Sequence, residues 1–180
     1  MRSVEEIVQL HEDFLKELAA FSNPEGDWAF KKLYLPVDPM SKGRHRASVV
    51  NRGGKTFIQT YQSEKDRSYE ATVREVFRSA FDNKVISGAT VVGAVYLLRR
   101  PKKFLRKKDP EGPMVHTATP DTDNLHKALM DSIQHFLSDD KVVFSMPATK
   151  YYAPKGETGG IWVIIGNENG LQPAEPDQLD

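Results

Sequence analysis

The run from Ala89 to Leu98 contains no charged side chain and is built of β-branched and aliphatic residues, with Tyr96 the one aromatic. A half-exposed strand alternates apolar with polar positions, so this unbroken run predicts a strand buried on both faces, at the centre of a sheet. The other periodic segments are read around it. Ser3 and Glu6 have capping-box spacing, and Val4, Ile7, Val8, Leu10, Phe14, Leu15, Leu18 and Phe21 recur near the helical period, which predicts a helix over residues 3–21. Asn23-Pro24-Glu25-Gly26 ends it, and a first strand is expected over 28–35. Residues 36–46 read as a basic loop and 47–61 as a hairpin with Asn51-Arg52-Gly53-Gly54 at its tip. Ser63 and Asp66 offer a cap for a second helix over 63–82.

Beyond the central strand, residues 99–120 are too rich in Lys, Arg, Pro and Gly to build a core. A third helix is expected from Asp123, at its N-cap, to about Leu137, and a strand from Asp140 through Phe144, interrupted at Pro147. A turn over 154–160 then leads to a strand over 161–165. The connections read as hairpins rather than crossovers, giving an α/β (α+β) fold with a single mixed, largely antiparallel sheet, flanking helices and an extra N-terminal helix. The length of 180 residues suits one domain. Within it we distinguish an N-terminal helical extension (1–27), a main domain (28–166) and an acidic tail (167–180) expected to be disordered.

Composition removes several chemistries. There is no cysteine, which excludes disulfides, thiolate zinc sites, iron–sulfur clusters and cysteine nucleophiles, and leaves oxygen and histidine ligands for any metal. No stretch approaches the roughly 20 apolar residues of a membrane span, and the N-terminus lacks a signal peptide's order, so a soluble, cytoplasmic protein is expected. The formal net charge of zero hides a division. Four acids and no base fall after residue 166, so the remainder carries 25 bases against 21 acids, a formal +4. Lys42, Arg44 and Arg46 form one basic group, and Arg99, Arg100, Lys102, Lys103, Arg106, Lys107 and Lys108 a denser one, as a phosphate backbone would suit.

The acids around the third helix carry the chemical argument. Asp121 precedes it, Asp123 begins it, and Asp139-Asp140 lie beyond its far end. At about 100° per residue, Asp123 and Lys127 fall within about 40° of each other, opposite the stripe of Leu125, Leu129, Ile133 and Phe136. Asp131 lies a further 40° or so round the same open face, as a supporting partner or a solvated charge. Taken singly, Asp123 reads as a helix cap worth about 1 kcal/mol and Lys127 as its exposed partner. Clustered carboxylates, however, repel unless a cation holds them, and a hard divalent ion does so with one or two carboxylates, waters and substrate phosphate oxygens. That set suits phosphodiester cleavage, with Lys127 on a non-bridging oxygen or assisting the water. Periodicity leaves open whether Asp140 returns to Asp123. A transferase holding a nucleotide diphosphate through Asp-x-Asp is a weaker alternative, because no nucleotide-binding glycine loop accompanies the motif.

Pro120-Asp121-Thr122-Asp123-Asn124-Leu125-His126-Lys127-Ala128, Asp131, Asp139-Asp140-Lys141-Val142-Val143 and Lys150, with the basic segment Pro39–Arg46, resemble the RusA family of Holliday-junction resolvases of bacteria and their phages. The resemblance covers about residues 28–166. It implies that Asp121, Asp123 and Asp140 bind the metal and are catalytic, and that Lys127 is the essential lysine. Asp139 is implied as a neighbour of the site, and Lys42, Arg44, Arg46 and Lys150 as DNA contacts. The implied cofactor is Mg2+, with Mn2+ as a substitute, and the implied partners are a four-way DNA junction and a second copy in a homodimer. A non-catalytic branched-DNA-binding protein of the same fold is the alternative. Two features depart from the family pattern: His45 replaces the usual proline of the basic segment, and residues 1–27 have no counterpart. Of the remaining residues, the bases of 99–108, with Phe104 and Leu105 between them, read as a DNA-binding arm or a solvated loop, and His126 as a structural or surface residue.

Overall fold

The computed structural model describes residues 2–41 and 46–171. Among these residues, three α-helices, α1 (Val4–Ser22), α2 (Glu64–Phe81) and α3 (Thr122–Ile133), accompany eight strands. The strands are β1 (Ala29–Leu35), β2 (Arg46–Arg52), β3 (Lys55–Tyr61), β4 (Thr90–Leu98), β5 (Met114–Val115), β6 (Val143–Ser145), β7 (Ala148–Tyr152) and β8 (Gly160–Asn167). The main sheet runs β1-β8-β4-β7-β5, with β6 beside the start of β4, and β2 and β3 form a separate hairpin. Every residue of β4 is buried, as its composition requires of a central strand.

Most pairs in the main sheet are antiparallel: β1 with β8, β8 with β4, and β5 with β7. β6 and β7, however, run parallel to β4. The connections are therefore not all hairpins. The chain leaves β4, passes through α3 and returns alongside β4, which is a β-α-β crossover. A loop dense in bases and prolines separates β4 from α3 and hides this unit in the sequence.

Residues alternate across β4, so the strand serves two cores. Val92, Ala94, Tyr96 and Leu98 join the cluster formed with α2 and α3, including Phe77, Leu125, Leu129 and Ile133. Val91, Val95 and Leu97 join a second cluster with Val4, Ile7, Val8 and Leu15 of α1. Gly93 makes that second contact possible: a Cβ there would stand 2.5 Å from Leu15 Cδ1. α1 begins with the expected capping box, in which Ser3 Oγ accepts from Glu6 N–H at 3.2 Å and a Glu6 carboxylate oxygen accepts from Ser3 N–H at 2.6 Å. Ser63 and Asp66 form the same box at α2. Thus the N-terminal helix covers one face of the sheet and α2 with α3 cover the other. Among the described residues, no helix is long and apolar enough to cross a membrane.

Asn167 belongs to this framework. Its buried Nδ2 donates to Ser87 O and Thr90 Oγ1, both at 2.9 Å, and Glu168 accepts from Ala89 N–H at 2.7 Å. The tail expected from residue 167 is thus anchored at its start, and residues 172–180 lie outside the described residues.

Candidate active site

α3 starts two residues earlier than its sequence suggests. Asp121, not Asp123, takes the N-cap position, and its side chain makes no capping hydrogen bond. Asp123 falls in the first turn, where the helix dipole favours a negative charge. Leu125, Ala128, Leu129 and Ile133 are buried, while Asp123 and Lys127 are exposed, which is the two-faced arrangement their spacing requires. Asp131, a further turn along, is half-buried and has a partner of its own.

The far end of the crossover is fixed by two main-chain hydrogen bonds. Ile86 N–H donates to Phe136 O at 2.8 Å, and Ser138 N–H donates to Ile86 O at 2.9 Å. Asp139 then caps a 3-10 turn over Asp140–Val142, accepting from Lys141 N–H at 2.9 Å and pairing with Lys141 Nζ at 3.0 Å. The Lys141 N–H foremost, then its ammonium and the adjacent Asp140 carboxyl, hold Asp139 below the usual carboxylate range. Asp139 is occupied in shaping the turn, and Asp140 is left exposed at its start.

The two ends of the crossover border one pocket. Asp123, Lys127, Thr122 and His126 from α3, with Asp140, line a single pocket of about 530 Å³ whose apolar wall is Met130, Val143, Met146 and Ala148. Asp121 does not line it. Among the described residues, no three carboxylates or imidazoles are drawn together as a metal-binding group. The donor set is two carboxylates on separate elements beside a lysine. This fits a hard cation such as Mg2+, which takes one or two protein carboxylates and completes its shell with waters and substrate phosphate.

Met130 and Met146 carry no motif and are missed by sequence reasoning, and Thr122, although inside the Asp-Thr-Asp run, is given no role there; only the place of these three on the fold marks them. His126 is 5% exposed, and its Nδ1 shares a 3.0 Å hydrogen bond with Tyr96 Oη while Nε2 has no partner among the described residues. Burial pushes it down to about 4, so it is neutral near pH 7. Burial likewise raises the Tyr96 phenol well above its ordinary value, which keeps that hydroxyl protonated.

The basic residues separate by role. Lys150 Nζ donates to Ala118 O at 2.6 Å and Pro120 O at 2.7 Å, holding the segment that delivers Asp121 to the helix. Arg100 is 5% exposed, and its guanidinium donates to Ala153 O at 3.0 Å and to Pro110 O and Gly112 O. Arg106 pairs with Asp109 at 3.2 Å and Arg99 with Asp38 at 3.5 Å. Phe104 turns inward against Tyr152, with ring centres 5.3 Å apart. Lys102, Lys103, Lys107 and Lys108 remain exposed on a loop that Arg100 organises from within. Arg46 opens β2 opposite Tyr61, whereas Lys42 and Arg44 lie outside the described residues.

Comparison with curated proteins gives no match. The family model described as endodeoxyribonuclease RusA matches residues 36–165, a span that contains β4, the crossover and every residue of the pocket. With the mixed sheet and the Asp-x-Asp helix in place, the chain belongs to the RusA family of endodeoxyribonucleases.

Proposed function

We propose that the protein is a divalent-metal-dependent endonuclease that cuts branched DNA, with a four-way junction as its substrate. The observation that carries this reading is the pocket shared by Asp123, Lys127 and Asp140 within the family-matched span. Asp123 and Asp140 would hold Mg2+, or Mn2+ in its place, with Asp121 at the N-cap of the same helix as the third carboxylate. The bound ion supplies a water of lowered pKa and charge stabilisation at the phosphate. Lys127, on the same helix face as Asp123, neutralises a non-bridging phosphate oxygen as charge builds there. A junction has a two-fold axis, and paired nicks require two sites related by the same symmetry, so the working form is a homodimer.

The test incubates the protein with a synthetic four-way junction or a linear duplex, in Mg2+ or EDTA, beside an Asp123→Asn variant. Magnesium-dependent nicks near the branch are expected, and the variant should lose roughly 100-fold or more of the cutting rate while still binding the junction. Junction binding by the native chain without magnesium-dependent cutting would leave only a non-catalytic binding protein. Equal cutting of linear duplex would remove the branch selectivity.

A further inference from the structure

The β2–β3 hairpin is a basic ribbon with apolar side chains open to solvent. Between Arg46 and Tyr61 the hairpin has no acid, and it carries Arg46, Arg52 and Lys55. The strands pair in register from Arg46 with Tyr61 to Arg52 with Lys55, closing on Gly53-Gly54, both at positive φ. Val49 and Ile58 face one another across the strands on one side, and Phe57, next to Ile58, points to the other. These three side chains are 69%, 75% and 53% exposed, and none joins either buried cluster.

A two-stranded ribbon alone is marginal in water, and one exposing apolar groups on both faces lacks an occupant for them. Its charge selects the class of occupant. A surface with bases and no acids is complementary to a polyanion, and a two-stranded ribbon has the cross-section that the DNA major groove, roughly 12 Å wide, admits. Apolar side chains of DNA-bending proteins insert between base steps as wedges, at the cost of unstacking. That cost is smallest where stacking is already broken, as at the centre of a junction.

We propose that the β2–β3 ribbon is the branch-sensing arm of the protein: its bases hold phosphates, and Val49, Ile58 and Phe57 replace the base stacking lost at the branch point. This rests on the reading of the substrate as branched DNA, but not on cleavage. The ribbon makes selectivity a matter of packing, separate from the chemistry at Asp123 and Asp140.

Binding is measured in EDTA, so that loss of catalysis cannot enter, with a junction and a linear duplex of the same arm sequence. A Phe57→Ser/Ile58→Thr variant, whose thermal unfolding should match the native chain because both side chains are exposed, is expected to bind the junction about tenfold more weakly and the duplex unchanged. An Arg52→Gln/Lys55→Gln variant should weaken both alike and reduce the salt slope by up to about 1.8, at roughly 0.9 per phosphate contact. The chain has no cysteine, so Ile58→Cys carries a photo-crosslinker at a unique position, and its adducts should map to nucleotides flanking the branch. Several results overturn the inference: a native chain with no preference for the junction, equal losses on junction and duplex, unchanged junction affinity, or crosslinks spread along the arms. A dimer that becomes monomeric in the Phe57→Ser/Ile58→Thr variant also overturns it, because the ribbon is then a contact between copies. A native chain that binds the junction through the ribbon yet does not cut it would refute the proposed activity and leave this inference standing.

Discussion

Lys150 and His126 show how a side chain near the site can act without touching a substrate. The Lys150 ammonium is committed to two carbonyls, Ala118 O and Pro120 O, directly before Asp121. Lys150→Met should therefore slow junction cutting by up to about 100-fold through misplacement of Asp121. Duplex binding should keep its salt slope; a fall of about 0.9 would mark a phosphate contact instead. His126 makes a separate prediction in pH. Its folded-state value of about 4 lies below the ordinary 6.5, so the unfolded chain takes up the proton first as pH falls. The stability it contributes is complete above pH 6.5 and is lost between 6.5 and 4, by at most about 3 kcal/mol. Denaturant unfolding between pH 7.5 and 4.5 should show a shallower loss for His126→Gln than for the native chain. Some acid sensitivity should persist, because burial also lowers His11 and His116. The open-faced Asp123 and Lys127 pair was legible in the sequence, since four residues on a helix nearly restore a direction. The partners of Lys150 were not, because main-chain carbonyls some 30 residues away leave no side-chain signature.

At the scale of elements, α1, α2 and β4 were legible because capping boxes and an unbroken apolar run are local signals. The crossover was not: a parallel pair such as β4 and β7 is made by tertiary contacts across more than 50 residues. The start of α3 was displaced because both Asp121 and Asp123 are good first-turn or capping residues, and local preference does not choose between them. The loop after β4 looked unable to hold itself together, yet Arg100 does so by placing a buried guanidinium among main-chain carbonyls. Arg100→Ala would leave those acceptors unpaired and should destabilise the protein by roughly 3 kcal/mol, lowering Tm by about 6–12 °C for a chain of this size. Calorimetry would decide. A loss confined to DNA binding, with Tm unchanged, would show that Arg100 is a contact rather than a core.

Across the whole molecule, the family match begins at residue 36, and α1 lies outside it. In packing terms it is nevertheless integral, since it covers Val91, Val95, Leu97 and Ile164 on one side of the sheet. Gly93→Val would drive a side chain into Leu15, with an expected cost of about 1–3 kcal/mol in thermal unfolding. Because Gly93 faces away from α3, cutting by the folded variant should be unchanged. A loss of activity without a loss of stability would mean that the two faces of β4 are coupled.

The pocket's two carboxylates stand at the start and end of one crossover, at positions 123 and 140, so the chain between them acts as a ruler. One residue added within α3 would turn Asp123 about 100° and shift it about 1.5 Å relative to Asp140. By contrast, the turn at Gly156, where a Cβ would meet nothing within 4 Å, leaves room for additional residues. Length variation compatible with a working nuclease should therefore accumulate at that turn and be purged from the segment between Asp123 and Asp140.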